Sequence, residues 1–365
     1  MKKQTIAILF GGKSAEHEIS LISAKNIINS IDKAKYNTIL IGIDKNGQWF
    51  LCDKNNYLMN QDDPKKVKLK KSETQLAIIV GKYDNQIIKL KDKKSIGKID
   101  AVFPVLHGTF GEDGTVQGML KLLNLPFVGV DMTGSAICMD KDITKRLLTE
   151  AKIPNSKFLV FRDYEKSKIK FSEIKKQLGL PMFVKPANAG SSVGINKVKN
   201  DVDFKKAIKE AFKYDNKILI EEFISGREIE CAILGNEKPR ASLIGEIIAV
   251  DEFYSYKAKY IDEKGAILKA PTKLDKTTLK KVQNLAIQTY KTLGCEGMSR
   301  VDMFLLKNGK VVINEVNTIP GFTKISMYPK LWEKTGIPQK KLIDNLIQLA
   351  IERFENGKKI KTSID

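Results

Sequence analysis

Asp302, Glu315 and Asn317 lie on two apolar runs, Arg300 to Leu306 and Lys310 to Asn317, separated by Asn308-Gly309. That dipeptide between apolar segments is the strongest short signal for a β-hairpin. If Lys307 faces Lys310 across a two-residue turn, counting outward sets Asp302 opposite Glu315 and Arg300 opposite Asn317. Side chains alternate along a strand, so all four share one face. Two directly opposed carboxylates repel, and the flanking Val301, Phe304, Ile313 and Val316 imply burial, which makes unpaired charge costlier. A bound cation resolves that conflict. Two carboxylates and an amide suit Mg²⁺, which keeps its remaining coordination for water and substrate phosphates. An Arg300 salt bridge on a solvated hairpin face would use the same residues without a metal, and the hairpin alone leaves both readings open.

Other segments carry phosphate and cation chemistry. Gly11-Gly12-Lys13-Ser14 resembles the end of a phosphate-binding loop, but the first glycine of that pattern would fall where Ala7 stands. What remains is a turn into a helix. Glu16, His17 and Glu18 occupy its first turn, where the dipole and exposed N–H groups favour anions. Acids there either cap the helix or pair with a substrate ammonium. Met182 to Pro186, followed by Gly190-Ser191-Ser192-Val193-Gly194, is a strand ending in Lys185 and then a flexible loop. Lysine supplies a point charge for phosphates and glycine lets backbone N–H groups come close; a plain turn with a surface lysine has the same sequence. Glu221-Glu222 closes an apolar strand that could offer backbone groups to an adenine, with Glu228 beyond it for a ribose. His107-Gly108 and Gly111-Glu112-Asp113-Gly114 follow a buried strand, at the edge where open α/β sheets bind ligands. The two histidines, His17 and His107, have no cysteine or second histidine at ligand spacing, which argues against zinc. Tyr254, Tyr256, Lys257, Lys259 and Tyr260 crowd a connection too long for a simple turn, and that suggests a lid over something anionic.

The elements that must position these residues read as two kinds of architecture. Strand and helix alternate at first: Thr5 to Phe10, a helix entered at Ser14, Thr38 to Ile43, then Ala101 to Leu106 and a helix from Thr115 to Leu123. This predicts a doubly wound parallel sheet, interrupted by a lysine-rich stretch from Asp53 to Lys98 with a peripheral hairpin at Asp84-Asn85. Beyond Thr133 the pattern changes to interleaved strands and helices, an α+β signature. It runs through one helix from Met139 to Ala151, strands at Phe158 to Phe161, Met182 to Lys185 and Lys217 to Glu222, and a helix from Asp203 to Phe212. After Gly226 come strands Glu228 to Leu234 and Ser242 to Ala249, a helix Thr277 to Leu293, the hairpin, and a last helix Leu342 to Phe354.

The formal charge is +20, yet only six of the basic residues are arginine and none form a block. Phosphate and base readout favour arginine's planar fork, so nucleic acid is the weaker reading and attraction of small anions the stronger. Cys52, Cys138, Cys231 and Cys295 have no metal-type spacing, which fits a reducing cytoplasm. No stretch approaches the roughly 20 apolar residues that cross a bilayer.

In order along the chain, GGKSAEHEIS, HGTFGEDGTVQGML, CMDKDITK, FVKPANAGSSVGI, LIEEFISGREIE, FYSYKAKY, SRVDMF and INEVNTIPGFTKISMYPKLW resemble the D-alanine:D-alanine ligases of the ATP-grasp superfamily over essentially the whole length. The resemblance implies an α/β and α+β protein: an N-terminal doubly wound parallel-sheet domain (1–132), then the central (133–225) and C-terminal (226–365) lobes of an ATP-grasp fold. It implies that one D-alanine carboxylate attacks the γ-phosphate of ATP and that a second D-alanine amine attacks the acyl phosphate. Asp302, Glu315 and Asn317 match the ligands of two Mg²⁺ ions, with Mn²⁺ as an alternative metal. Lys141 and Lys185 match the phosphate-binding lysines, and Glu221, Glu222, Ile224 and Glu228 the adenosine site. Glu16 matches the partner of the first ammonium, with His107 near that substrate's carboxylate. Arg300 and the N–H of Gly321 match an oxyanion site. Ser326, Met327 and Lys259 correspond to the second carboxylate's site, and Ser191 and Tyr260 bond to Glu16 to close the lid. The family is cytoplasmic and usually homodimeric, with no nucleic acid or membrane partner. Ser255 stands where the family usually has aspartate, which touches the lid's local bonding. The lid sequence favours D-alanine over D-lactate as the second substrate and leaves D-serine open.

Overall fold

A computed structural model of the chain describes residues 2–61, 63–82, 84–249, 266–361 and 364. The expected first sheet forms around β1 (Gln4–Gly11), whose Ile6, Ile8 and Phe10 enter one core while Ala7 and Leu9 enter another. A strand apolar on both faces must be covered on both. Helix α1 (His17–Ser30) covers the first face. β1 pairs in parallel with β2 (Tyr36–Ile43), and β3 (Trp49–Cys52) adds an antiparallel edge beyond β2. The lysine-rich stretch folds into two small pairs, β4 (Leu58–Met59) with β5 (Lys68–Leu69) and β6 (Leu76–Ile78) with β7 (Ile87–Lys89). The expected turn at Asp84-Asn85 joins the second pair. β8 (Ala101–Val105) completes the order β3-β2-β1-β8, and α2 (Thr115–Leu122) covers the second face with Val116 and Leu120.

The helix expected from Met139 to Ala151 is two helices, α3 (Met132–Met139) and α4 (Lys141–Glu150). Asp140 between them has extended backbone and accepts from the N–H groups of Asp142 and Ile143. An aspartate inside an apparently continuous apolar pattern is here an N-cap, a position where its carboxylate satisfies N–H groups that otherwise lack partners. β9 (Phe158–Arg162), α5 (Phe171–Leu178), β10 (Met182–Pro186), β11 (Asn196–Val198), α6 (Asp201–Ala211) and β12 (Lys217–Glu222) follow. The four strands make an antiparallel sheet, β11-β10-β12-β9, with its own core against α5 and α6. α5 was not anticipated, because only Ile174 of its eight residues is buried and little apolar periodicity is left to read.

The last sheet has the order β15-β14-β13-β16-β17, from β13 (Arg227–Leu234), β14 (Arg240–Ala249), β15 (Ala266–Lys269), β16 (Met298–Leu305) and β17 (Val311–Asn317). One face packs on α7 (Lys276–Thr292) through Val282, Ala286 and Tyr290. The other meets α8 (Met327–Lys334), and α9 (Gln339–Gly357) returns to the first sheet, so Leu342, Ile343, Leu346 and Ile347 share a core with Ile6 and Ile8. Each such fully buried side chain contributes about 1.5–3 kcal/mol, and this shared core holds the first and last portions of the chain at a defined separation. Among the described residues no helix is long and apolar enough to cross a membrane.

The hairpin departs from expectation in its turn. The N–H of Leu306 bonds to the carbonyl of Lys310 at 2.9 Å, so Lys307, Asn308 and Gly309 make a three-residue turn, with Gly309 in the left-handed region at φ 75°. This is the usual partner of a glycine bulge, the next most common hairpin connection. Pairing then runs Leu305 with Val311 to Met303 with Ile313, and shifts so that Asp302 faces Glu315 and Arg300 faces Asn317. The one-residue difference at the turn is cancelled by a bulge at Asn314, so the expected face is built although the expected turn is not.

Candidate active site

β13 lies on the other side of β16, and Glu230 is paired with Asp302. A row of three carboxylates, Glu230, Asp302 and Glu315, therefore crosses three neighbouring strands. Arg300 offsets part of that charge: its Nε and Nη2 donate to the two oxygens of Asp302 at 2.7 and 2.6 Å, and Nε lies 3.2 Å from Glu230. Asn317 Nδ2 adds a bond to Asp302 at 2.9 Å. The Arg300 ion pair expected from the sequence is thus formed, on the same face as the carboxylates and amide proposed for a cation. Among the described residues three carboxylates face one guanidinium on this face, and acid and amide oxygens are the donor chemistry that suits Mg²⁺.

Glu16 precedes the first residue of α1 instead of lying within its first turn, and is 6% exposed. Its carboxylate reaches across to the hydroxyl of Ser191 in the loop between β10 and β11. Ser191 and Ser192 both adopt left-handed backbone, with φ 50° and 61°. Such strain in residues with a Cβ persists where the surroundings impose it, commonly at ligand sites. Gly108, at φ 71°, passes so close that a Cβ there would sit 2.7 Å from Glu16 Oε2. The same loop is held from the other side, where Lys141 Nζ donates to the Ala189 carbonyl at 2.6 Å.

His107 directs both ring nitrogens to the protein, Nδ1 to the Ile319 carbonyl at 3.0 Å and Nε2 to Ser23 Oγ at 3.1 Å. A carbonyl only accepts, so Nδ1 carries the proton. Burial lowers the pKa of this histidine to about 4, against a smaller opposing effect of the Ile319 bond, and the ring is neutral. Glu112 accepts from the N–H groups of Gly108 at 2.7 Å and Ile319 at 3.1 Å. Its carboxyl is held above the usual range by burial and then by the nearby charge of Glu16, against the pull of those two donors.

These residues meet in a cavity of about 110 Å³. Glu16 and His107 reach it from the first sheet, Ser191 from the central loop, and Arg300, Glu315, Asn317, Gly321, Ser326 and Met327 from the last portion. A Cβ on Gly321 would lie 2.8 Å from Ser326 Oγ, so a side chain there would push that hydroxyl aside. Asp302 sits beside the cavity, bonded to Arg300 and Asn317.

The remaining candidates gather on the central sheet. Lys185 pairs with Glu221 at 2.8 Å, and Lys145 lies 3.4 Å from the same carboxylate and 2.7 Å from Ser156 Oγ. Burial alone would raise the Glu221 pKa, but Lys145 and Lys185 outweigh it and bring it to about 2. Glu222 accepts from the Lys157 N–H at 2.8 Å. Ile224 follows β12, and Glu228 is exposed near the start of β13. Lys259 and Tyr260, with the rest of the expected lid, lie outside the described residues. The sequence names Glu112 only as part of the Gly111-Glu112-Asp113-Gly114 turn, and it assigns no site role to Glu230, Lys145 or Ser23. Glu230 has a readable signal, since Glu228 and Glu230 alternate with apolar Ile229 and Cys231 on one strand; Ser23 inside a helix has none.

The family model described as the D-ala D-ala ligase N-terminus matches residues 5–130, and that of the D-ala D-ala ligase C-terminus matches 147–348. A D-alanine–D-alanine ligase of Oceanobacillus iheyensis is 54% identical over 361 residues, 99% of each chain. The solved D-alanine-D-alanine ligase of Coxiella burnetii is similar with a TM-score of 0.84 and 40% identity, covering 98% of each chain. The VanG D-Ala:D-Ser ligase of Enterococcus faecalis has a TM-score of 0.84 at 37% identity, covering 96% of this chain and 100% of that one. With two family models across most of its length and relatives matched end to end, the chain belongs to the D-alanine–D-alanine ligase family.

Proposed function

We propose that this protein joins two D-alanines with ATP to give D-alanyl-D-alanine for peptidoglycan precursors. The observation that carries the reading is the convergence of Glu16, Arg300 and Gly321 on one cavity from sequence-distant segments. The three portions 1–132, 133–225 and 226–365 act as substrate domain and two nucleotide-grasping lobes, a division supported by their three separate sheets.

The first D-alanine places its ammonium on Glu16, which Ser191 orients, and its carboxylate near the neutral His107. Adenosine lies against Glu221, Glu222, Ile224 and Glu228, and Lys141 and Lys185 attract the phosphates. The D-alanine carboxylate attacks the γ-phosphorus and ADP leaves with the bonding electron pair. The second D-alanine, its carboxylate at Ser326, Met327 and Lys259, attacks the acyl carbon through its amine, and phosphate departs. Arg300 and the Gly321 N–H stabilise the oxyanion formed at that carbon. Asp302, Glu315 and Asn317 would hold Mg²⁺, which offsets charge on the transferring phosphoryl group when bound. Tyr260 and Lys259 belong to the loop that excludes water from the acyl phosphate. The enzyme works in the cytoplasm, in keeping with four unpaired cysteine thiols, as a homodimer and without nucleic-acid or membrane partners.

Purified protein with Mg·ATP should release phosphate when D-alanine is added and stay silent with L-alanine; no D-alanine-dependent turnover would overturn the proposal. The similarity to a D-Ala:D-Ser ligase supports a second reading with D-serine as acceptor. Competition between equal D-alanine and D-serine, with products resolved by mass, separates the two.

A further inference from the structure

The segment Ile319-Pro320-Gly321-Phe322 follows β17 and belongs to the last portion of the chain, yet its backbone is bonded by side chains of the first. Glu112 accepts from the Ile319 N–H at 3.1 Å, and His107 Nδ1 donates to the Ile319 carbonyl at 3.0 Å. Ser23 Oγ accepts from the Phe322 N–H at 3.3 Å, and Asn26 Nδ2 donates to the Phe322 carbonyl at 2.7 Å. Every backbone donor and acceptor of the two residues flanking Pro320-Gly321 is thereby fixed from α1 or from the loop after β8. His107 and Ser23 are also bonded to each other, so two of the four side chains are linked directly, and Glu112 accepts from the Gly108 N–H beside His107. Ile319 and Phe322 are 2% and 1% exposed, and the His107 and Ser23 bonds to them are buried, where a low dielectric strengthens them. Pro320 has no N–H. Of the N–H groups in the segment, that of Gly321 is the one for which no described residue supplies an acceptor, and Gly321 lines the cavity.

We propose that Ser23, Asn26, His107 and Glu112 are positioning residues that together aim the Gly321 N–H at the reacting carbonyl. The substrate domain thus builds half of the oxyanion site carried by the C-terminal lobe. This rests on the reading that Gly321 donates to the oxyanion. The physical need is clear: a preorganised donor is effective only if it does not reorient during reaction, and a displacement of about 1 Å can cost about 10²-fold in rate. A glycine is the residue least able to hold its own peptide plane, having the widest choice of backbone angles. Fixing the residues on both sides removes that freedom from outside.

The test compares wild type with Ser23→Ala, Asn26→Ala and Glu112→Gln. Glutamine at 112 keeps the length and one oxygen acceptor but turns an NH₂ toward one of the two N–H donors. Three quantities are read: kcat with D-alanine, affinity for ADP, and affinity for a phosphinate that mimics the tetrahedral intermediate. The Gly321 amide is followed by ¹⁵N NMR. Expected are a fall of about 10- to 100-fold in kcat, a matching fall in phosphinate affinity, ADP affinity unchanged, and a displaced Gly321 amide signal in the unliganded variants. Phosphinate affinity that stays at the wild-type level, or ADP affinity and thermal midpoint falling in step with kcat, overturns the clamp. The underlying reading is checked in wild type alone, where the Gly321 amide must shift on phosphinate binding. If it does not, the oxyanion role fails whatever the variants do.

Discussion

His107 gives a pH dependence of stability with a defined sign. Its folded pKa is lowered to about 4 by burial, against about 6.5 in an unfolded chain. At pH 7.5 neither state carries the proton. As pH falls below 6.5 the unfolded chain binds a proton that the folded protein refuses, so folding loses stability through that window, and the loss levels off once pH passes below 4. The separation corresponds to about 3 kcal/mol, lost at up to about 1.4 kcal/mol per pH unit. The structural cause is specific. Protonation puts the ring's second hydrogen on Nε2 and turns it from acceptor to donor against the hydroxyl of Ser23, whose oxygen already accepts from Phe322. Urea unfolding of wild type and His107→Gln at pH 7.5, 6.5, 5.5 and 4.5 isolates the effect, since Glu16, Glu112, Arg300 and His17 are common to both and cancel in the difference. The stability gap between the two proteins should shrink by about 2.5 kcal/mol between pH 7.5 and 4.5, at constant m-value. Parallel profiles would refute the buried neutral imidazole.

Other perturbations test the remaining parts of the site. Glu315→Gln should abolish Mg·ATP-dependent turnover without moving the thermal midpoint; a retained rate with ordinary Mg²⁺ dependence contradicts the metal assignment. Lys145→Met removes one of two cations from a carboxylate that is 4% exposed and should destabilise by about 3 kcal/mol, read as a lower urea midpoint. Gly321→Ala forces a methyl group to within 2.8 Å of Ser326 Oγ and should cost about 1–3 kcal/mol. Adding Ser326→Ala should recover the stability but not the activity, because Ser326 is a proposed substrate ligand. A melting temperature for Gly321→Ala equal to wild type would show that the loop relaxes freely.

Much of the molecule was legible before folding because its signals are local. Alternation and periodicity place the first sheet, most strands of the two later ones and the long helices, and the hairpin face is reached by counting along two strands. The same counting misjudged the turn by one residue, and a bulge at Asn314 restored the pairing. A bulge has no fixed sequence signature, since it depends on how the twisted strand meets its neighbour. Asp140 shows the opposite failure: a cap can be read as a helix interior when apolar spacing continues on both sides.

The chain's order of residues determined which strands exist, which faces are apolar, and that Asp302, Glu315, Arg300 and Asn317 share a face, because these follow from covalent spacing along one or two adjoining elements. Only the tertiary structure decided that Glu230 extends the acidic row, that Glu16 answers Ser191, and that Ser23, Asn26, His107 and Glu112 hold the backbone around Gly321. Those contacts join residues up to 299 positions apart, and nothing in local sequence encodes a distance that exists only after the last helix has packed against the first sheet.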